Sequence, residues 1–151
     1  MPWLNVPHLQ QPKAGWCLPA CVAMVTAYLQ QPLLQDDIAR WLDTDDLAGT
    51  PSSRVTRLTR RDFNVTYADF GAVVDLERWL NRQIPPILFV LTGELSYWSI
   101  DTAHAVVLAG LSGDQAHLFD PAVEEAPITV SRDELLLAWS HFEYTYAAIE
   151  V

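Results

Sequence analysis

The spacing of apolar positions changes character about halfway along the chain. Residues 18–29 (LPACVAMVTAYL) are apolar almost all round, with Pro19 near the start, where a fixed φ suits the first turn and the missing N–H costs nothing. A helix apolar on every face belongs in a core. A second helix is predicted over 35–42, with Ile38, Trp41 and Leu42 on one face. A third runs from a Ser52 or Ser53 cap to about Arg60, with Val55 and Leu58 inward. Residues 63–70 (FNVTYADF) alternate as a strand does, and 73–82 return to helical spacing at Val73, Leu76, Trp79 and Leu80. After that the runs are strand-like: 87–92, 104–111, 116–119 and 144–151, parted by Gly, Asp and Ser turns. One helix interrupts them, announced by a capping box of Ser131 and Glu134 before LLLAWS. Helices first and antiparallel strands after predict an α+β fold, with the N-terminal helices packed on a C-terminal antiparallel sheet. The length suits a single domain, 1–151, in which residues 1–16 form an extended lead-in punctuated by Pro2, Pro7 and Pro12.

Composition narrows the partners more than the fold. Half of the 151 residues are apolar and six are Trp, so the chain folds rather than staying disordered. A net charge of −10, with Lys13 the single lysine, repels nucleic acid and anionic membrane surfaces, and both are set aside as partners. The N-terminus lacks the basic and apolar regions of a secretory signal, and the longest apolar run, 84–91, is far short of the ~18 residues of a membrane span. Cys17 and Cys21 lie four apart, a spacing that suits neither a disulfide nor a C-x-x-C motif. A cytoplasmic protein with reduced thiols is expected.

The candidate chemistry starts at Cys17. It stands between a polar loop (KAGW) and the apolar helix, where unpaired N–H groups and the positive end of the dipole favour an anion. That is a setting in which a cysteine nucleophile is made. Cys21, one turn further in, reads as core. Of the four histidines, His104 opens the strongest strand, HAVVLAG, and a turn at Ser112-Gly113-Asp114 folds that strand onto the next. The fold-back sets Val106 roughly opposite Asp120 and makes His104 its diagonal neighbour on the same face. Asp120 before Pro121 is equally a turn former. A placed cysteine, a distant histidine and an aspartate form the nucleophile, base and orienter pattern. No pair of Cys or His has zinc spacing, and DTDD (43–46) reads as a solvated loop rather than a calcium site, so no metal or cofactor is expected.

These residues lead to a family. LNVPHLQQPKAGWCLPACVAMVTAYL resembles the start of papain-like cysteine peptidases of the bacteriocin-processing, double-glycine type, in which a Gln precedes the nucleophilic Cys by six residues. HAVVLAG resembles that family's H-W-V-V-x-x-G strand, LFDPA its D-P strand end, and the helix SRDELLLAWS and the last strand follow the family order. The resemblance spans nearly the whole chain. It departs at Leu18, where Gly is usual, a change that narrows the cleft or shifts the substrate class. The resemblance implies a papain-like fold and residue roles: Cys17 the nucleophile, His104 the base and then acid, Asp120 the orienter. Gln11 would be the oxyanion donor, with Gln10 the alternative if the lead-in shifts by one. It implies a peptide or protein substrate, cut through a thioester at small residues such as Gly-Gly in a leader peptide. Two alternatives stay open: a transpeptidase or amide-forming enzyme on the same fold, and a non-catalytic peptide-binding module. Trp16, Trp41, Trp79 and Trp139 read as core or cleft wall, and Trp98 as a groove or exposed loop residue.

Overall fold

The protein is described by a computed structural model over residues 2–151. Four α-helices and six strands follow one another as α1 (Cys17–Tyr28), α2 (Gln35–Trp41), a 3₁₀ segment (Ser52–Arg61), β1 (Asn64–Ala68), α3 (Val73–Asn81), β2 (Ile87–Leu91), β3 (Ala103–Ser112), β4 (Gln115–Phe119), β5 (Ile128–Ser131), α4 (Arg132–Ser140) and β6 (Tyr146–Glu150). The strands form one antiparallel sheet in the order β1-β6-β2-β3-β4-β5. Helices cover both of its faces. On one, Cys21, Val22 and Val25 of α1 pack with Phe89, Ala105, Val107 and Phe119; on the other, Leu135 and Trp139 of α4 pack with Leu88, Val106 and Leu118. Burial on both sides is why β3 reads as an unbroken apolar run instead of an alternation.

Two elements differ from expectation. The helix predicted from Ser52 is 3₁₀, its N-cap position is Pro51, and no side chain caps it. Ser52 instead shares a hydrogen bond with the Tyr67 hydroxyl at 2.6 Å. The sequence SSRVTRLTRR has a period of three, which suits the 3.0 residues per turn of this helix: Val55 and Leu58 fall inward while Arg54, Arg57 and Arg60 line up outside. The strand β5 was not anticipated, because it has four residues at the sheet edge and buries only Val130. At α4 half of the capping box forms: Ser131 Oγ accepts the Glu134 N–H at 3.1 Å, but the Glu134 carboxylate turns elsewhere.

The hairpin of β3 and β4 carries an irregularity that sets the site. Near the turn Ser112 pairs with Gln115 and Gly110 with His117; further on Leu108 pairs with Leu118 and Val107 with Phe119. Ala109 is the extra residue, a β-bulge. Continuing the second register one step sets Val106 opposite Asp120, the expected pairing. Had the first register run on, Val107 would oppose Asp120 and His104 would project from the other face. The lead-in covers the bulge. Leu4 N–H donates to Ala109 O at 2.8 Å, and a Cβ on Gly110 would stand 2.2 Å from Pro2 O. The lead-in then follows the end of β4, with His8 Nε2 donating to Val123 O and Gln11 N–H to Pro121 O, both at 2.8 Å.

Candidate active site

Cys17 is the first residue of α1 and is partly exposed. The loop before it is held by the acidic stretch that had read as a solvated loop. Gly15 N–H donates to Asp46 O at 2.7 Å, and Trp16 Nε1 donates to the Asp46 carboxylate at 3.0 Å, with Lys13 beside it at 3.2 Å. Asp45 shapes the turn by accepting the N–H groups of Ala48 and Leu47 at 2.7 and 2.9 Å, which hold its carboxyl below the usual range. Backbone meets backbone here: a Cβ on Gly15 would lie 2.2 Å from Asp45 O and 2.8 Å from Gly49 N. Gly15→Ala is therefore expected to destabilise the protein by about 1–3 kcal/mol. A denaturant titration compared with wild type checks this, and an unchanged midpoint would contradict it.

His104 sits at the start of β3 with 4% of its side chain exposed, and Nε2 donates to Asp120 Oδ1 at 2.6 Å. Cys17 lines the same cavity as His104, near enough to raise the imidazole's pKa, and with Nε2 engaged by Asp120 the ring nitrogen left for it is Nδ1. Asp120 is fully buried and does more than form a turn. Besides His104 it accepts Ala122 N–H at 2.8 Å, the Tyr97 hydroxyl at 2.6 Å and Trp98 Nε1 at 2.9 Å. The Trp98 ring lies edge-on to His104 with centroids 4.8 Å apart. Trp98 is thus neither a groove residue alone nor a loose loop residue; it braces the His104–Asp120 pair.

Burial disfavours a charged imidazole, but the hydrogen bonds to Asp120 and Cys17 and their charges outweigh it, and the His104 pKa is pushed up to about 9. Burial likewise opposes ionisation of Asp120, yet His104, Tyr97 and the Ala122 N–H hold its carboxyl below the usual range. Burial and then the Asp120 charge push the Tyr97 phenol up, so it stays a donor. Burial also raises the Cys21 thiol, which donates to Ala105 O at 3.3 Å and fits its reading as core. A raised histidine pKa stabilises the fold fully below the unfolded value of about 6.5, and that contribution fades as pH rises through about 9. We expect wild type to lose on the order of 3 kcal/mol across this window relative to His104→Gln, read from urea midpoints at pH 6 and pH 9.5. Parallel pH profiles for the two proteins would refute the charged imidazole.

A cavity of about 190 Å³ opens beside Cys17 and His104. Leu18, Phe89, Ala103, Ala105 and Phe142 give it an apolar lining, and Ala48, Gly49, Thr50 and Ser52 close one side. Leu18 is 2% exposed, so the residue standing where Gly is usual belongs to the core and to the cavity wall, and the cavity stays open. Gln11 is not among the lining residues. Its amide donates to Lys13 O and Ala14 O, both at 2.9 Å, and its Oε1 is buried without a partner. The Gln10 carbonyl accepts from the Gln35 side chain. The other histidines lie apart: His117 is satisfied by Ser112 and Thr129 at 2.8 and 3.0 Å, and His141 pairs with Glu94 at 3.5 Å. Among the described residues no cluster of three His, Cys, Asp or Glu is placed to hold a metal ion, and no helix is long and apolar enough to cross a membrane.

Ser96 and Tyr97 escaped the sequence reading, and Glu134 and Trp98 have roles beyond those read for them. Glu134 accepts both the N–H and the hydroxyl of Ser96, at 2.8 and 2.9 Å, and so fastens to α4 the loop whose next two residues, Tyr97 and Trp98, grip Asp120. Of this loop only Trp98 stands out in the sequence; the carboxylate partners of the loop lie 22 to 38 residues away and leave no local signal.

The sequence from residue 3 to residue 150 matches the Peptidase_C39 like family. The chain belongs to that family. Solved structures agree in fold. A protein from Bacillus anthracis described as a C39-like peptidase superposes with a TM-score of 0.79 at 13% identity, covering 99% of this chain and 97% of its own. The peptidase domain of Streptococcus ComA, a bi-functional ABC transporter of a quorum-sensing pathway, gives 0.74 at 15%, covering 99% and 98%. A double glycine motif protease from an AMS/PCAT transporter, solved with its leader peptide, gives 0.73 at 18%, covering 98% and 93%. No curated protein matches the sequence. The helices and six-stranded antiparallel sheet of this C39-like chain are those of the papain-like peptidase structures, as the α+β reading expected.

Proposed function

We propose that this C39-like protein is a cysteine peptidase acting through Cys17, His104 and Asp120. The observation that carries the reading is that Cys17 and an imidazole held by a buried carboxylate line one cavity. The raised His104 pKa favours the imidazolium that a thiolate nucleophile needs beside it. The thiolate attacks the peptide carbonyl, the imidazolium hands its proton to the departing amine, and a thioester forms. Water, losing a proton to the imidazole, then attacks the thioester; the carboxylate product leaves and the thiolate and imidazolium return. The first N–H groups of α1 have no partner inside the helix, and that of Cys17 is the oxyanion donor. For Gln11 to join it, its amide would have to release at least one of the two loop carbonyls, Lys13 O and Ala14 O, that it binds here. The name of the neighbour solved with a leader peptide supports a peptide substrate cut after small residues such as Gly-Gly.

The test is iodoacetamide labelling between about pH 5 and 8 with the modified site read by mass spectrometry, followed by Gly-Gly peptides as substrates. Fast labelling of Cys17 but not Cys21 that persists at the acid end, together with peptide cleavage, is expected. Slow labelling of Cys17 that accelerates only as pH rises would mean that the thiol and imidazole are not paired.

A further inference from the structure

The 3₁₀ segment Ser52–Arg61 holds four of the nine basic residues of a chain whose net charge is −10. Its geometry sets them out in order. With three residues per turn and a rise of about 2.0 Å per residue, Arg54, Arg57 and Arg60 stand in one row about 6 Å apart. Arg61 lies beside that row with its guanidinium 4.0 Å from the Trp41 ring centroid. None of the four joins any ion pair among the described residues, although the chain has 19 carboxylates. Arg54 and Arg57 each commit one nitrogen to carbonyls at the end of α2, which fixes their position and leaves the rest of each guanidinium uncommitted; Arg60 and Arg61 are exposed. The segment itself starts at the candidate active site, where Ser52 lines the cavity beside Cys17, and the row begins two residues further on, at Arg54, on a neighbouring face of the same helix.

We infer that this arginine row is a docking surface for an acidic stretch of the peptide whose scissile bond lies at Cys17. The inference rests on the peptidase reading and adds a substrate class to it: peptides with carboxylates at a set distance from the cut. Eight residues of 3₁₀ helix separate Ser52 from Arg60, about 16 Å. An extended peptide covers that span in about five residues at about 3.3 Å each. Alternate residues of such a peptide are about 6.6 Å apart on one side, close to the spacing of the arginines. A nucleic acid also offers spaced anions, but the surrounding field of a chain at −10 opposes so large a polyanion, whereas a short acidic segment meets only the local row.

The experiment uses the full 151-residue chain with Cys17→Ala, so that binding is read without turnover. The probes are fluorescein-labelled Gly-Gly peptides carrying three glutamates centred about five residues from the Gly-Gly pair, on one side or the other, and matched peptides with glutamine. In anisotropy titrations at 20 mM salt, one glutamate peptide is expected to bind about ten-fold tighter than its glutamine match. The preference should disappear in the added Arg60→Gln, Arg61→Gln double variant and at 300 mM salt. Equal binding of glutamate and glutamine peptides, a preference that survives the double variant, or displacement of the peptide by a single-stranded oligonucleotide at lower concentration would each overturn the inference. Cleavage assays with the Cys17 protein separate the two readings. Equal cleavage of both peptides leaves the peptidase standing and removes the row as a determinant. Selective binding without any cleavage keeps the row and removes the peptidase.

Discussion

Cys17→Ala is expected to bring peptide cleavage down by about 10⁶, to the level of background hydrolysis, while the fold survives. The argument for the size of the loss is that nothing else can take the nucleophile's place. Cys21 is fully buried, its thiol is raised by burial, and its hydrogen points at Ala105 O rather than into the cavity. The argument for survival of the fold is position. Cys17 is partly exposed at the first turn of α1, whereas the packing of that helix is carried by Leu18, Val22, Met24 and Val25, each 2% exposed or less. The far-ultraviolet circular dichroism and urea midpoint of the variant should match wild type within about 1 kcal/mol. Cleavage by Cys17→Ala at the wild-type rate would remove the proposed mechanism altogether.

Asp120→Asn is expected to be the most damaging isosteric change in the protein, costing activity and stability together. Four donors converge on the carboxylate: His104 Nε2, Ala122 N–H, the Tyr97 hydroxyl and Trp98 Nε1. An asparagine offers one oxygen and one NH₂. If the oxygen keeps His104 and Ala122, the NH₂ faces the indole N–H, which can only donate. If the oxygen keeps Tyr97 and Trp98, the NH₂ faces Nε2, which must then be unprotonated, so the ring is held neutral in the Nδ1–H tautomer and the imidazolium proposed beside the thiolate is lost. The first arrangement strands a buried donor; the second disables the base. Breaking one member of such a buried charged network costs about 3–5 kcal/mol, and the wrong imidazole tautomer costs about 10⁴ in rate. Thermal unfolding and kcat/KM measured on the same preparation check both figures. A variant with wild-type Tm and a small rate loss would show that the four hydrogen bonds are not what holds the site.

What could be read from the sequence was whatever depends on near neighbours. The apolar run of α1 follows from its composition and the polar loop before it, so both the helix and the placing of Cys17 at its mouth were legible. The strand HAVVLAG and the turn after it suggested that His104 and Asp120 share a face, and they do. The route was not legible, because the bulge at Ala109 is stabilised by Leu4, 105 positions away, and by the glycine that lets Pro2 and Trp3 lie across it. The segment from Ser52 has a period of three, but a serine cap and the spacing of Val55 and Leu58 fit an α-helix equally well, so the 3₁₀ form is not legible locally. Glu134 read as a capping-box partner because that role is local; its real partner, Ser96, is brought to it only by the packing of α4 on the sheet. Asp46 looked like one more charge in an exposed run, and its indole partner lies 30 residues back in the sequence.

The order in which the site is assembled has a consequence during synthesis. Cys17 leaves the ribosome early, but its base lies 87 residues later and the carboxylate that holds that base another 16. The strap before the thiol is in the same position: it is tied to Ala109, Pro121 and Val123. At about 5–20 residues per second, the nascent thiol waits some 5 to 20 seconds before His104 and Asp120 have even been made. The strand pairings that unite them are long-range contacts, which form slowly. Throughout that interval Cys17 has no imidazole beside it, and under the proposed mechanism it would become a nucleophile only when the sheet closes. If the proposed mechanism holds, a chain truncated before residue 120 is therefore expected to be inert towards peptides, and no unfinished copy would carry an activated thiol.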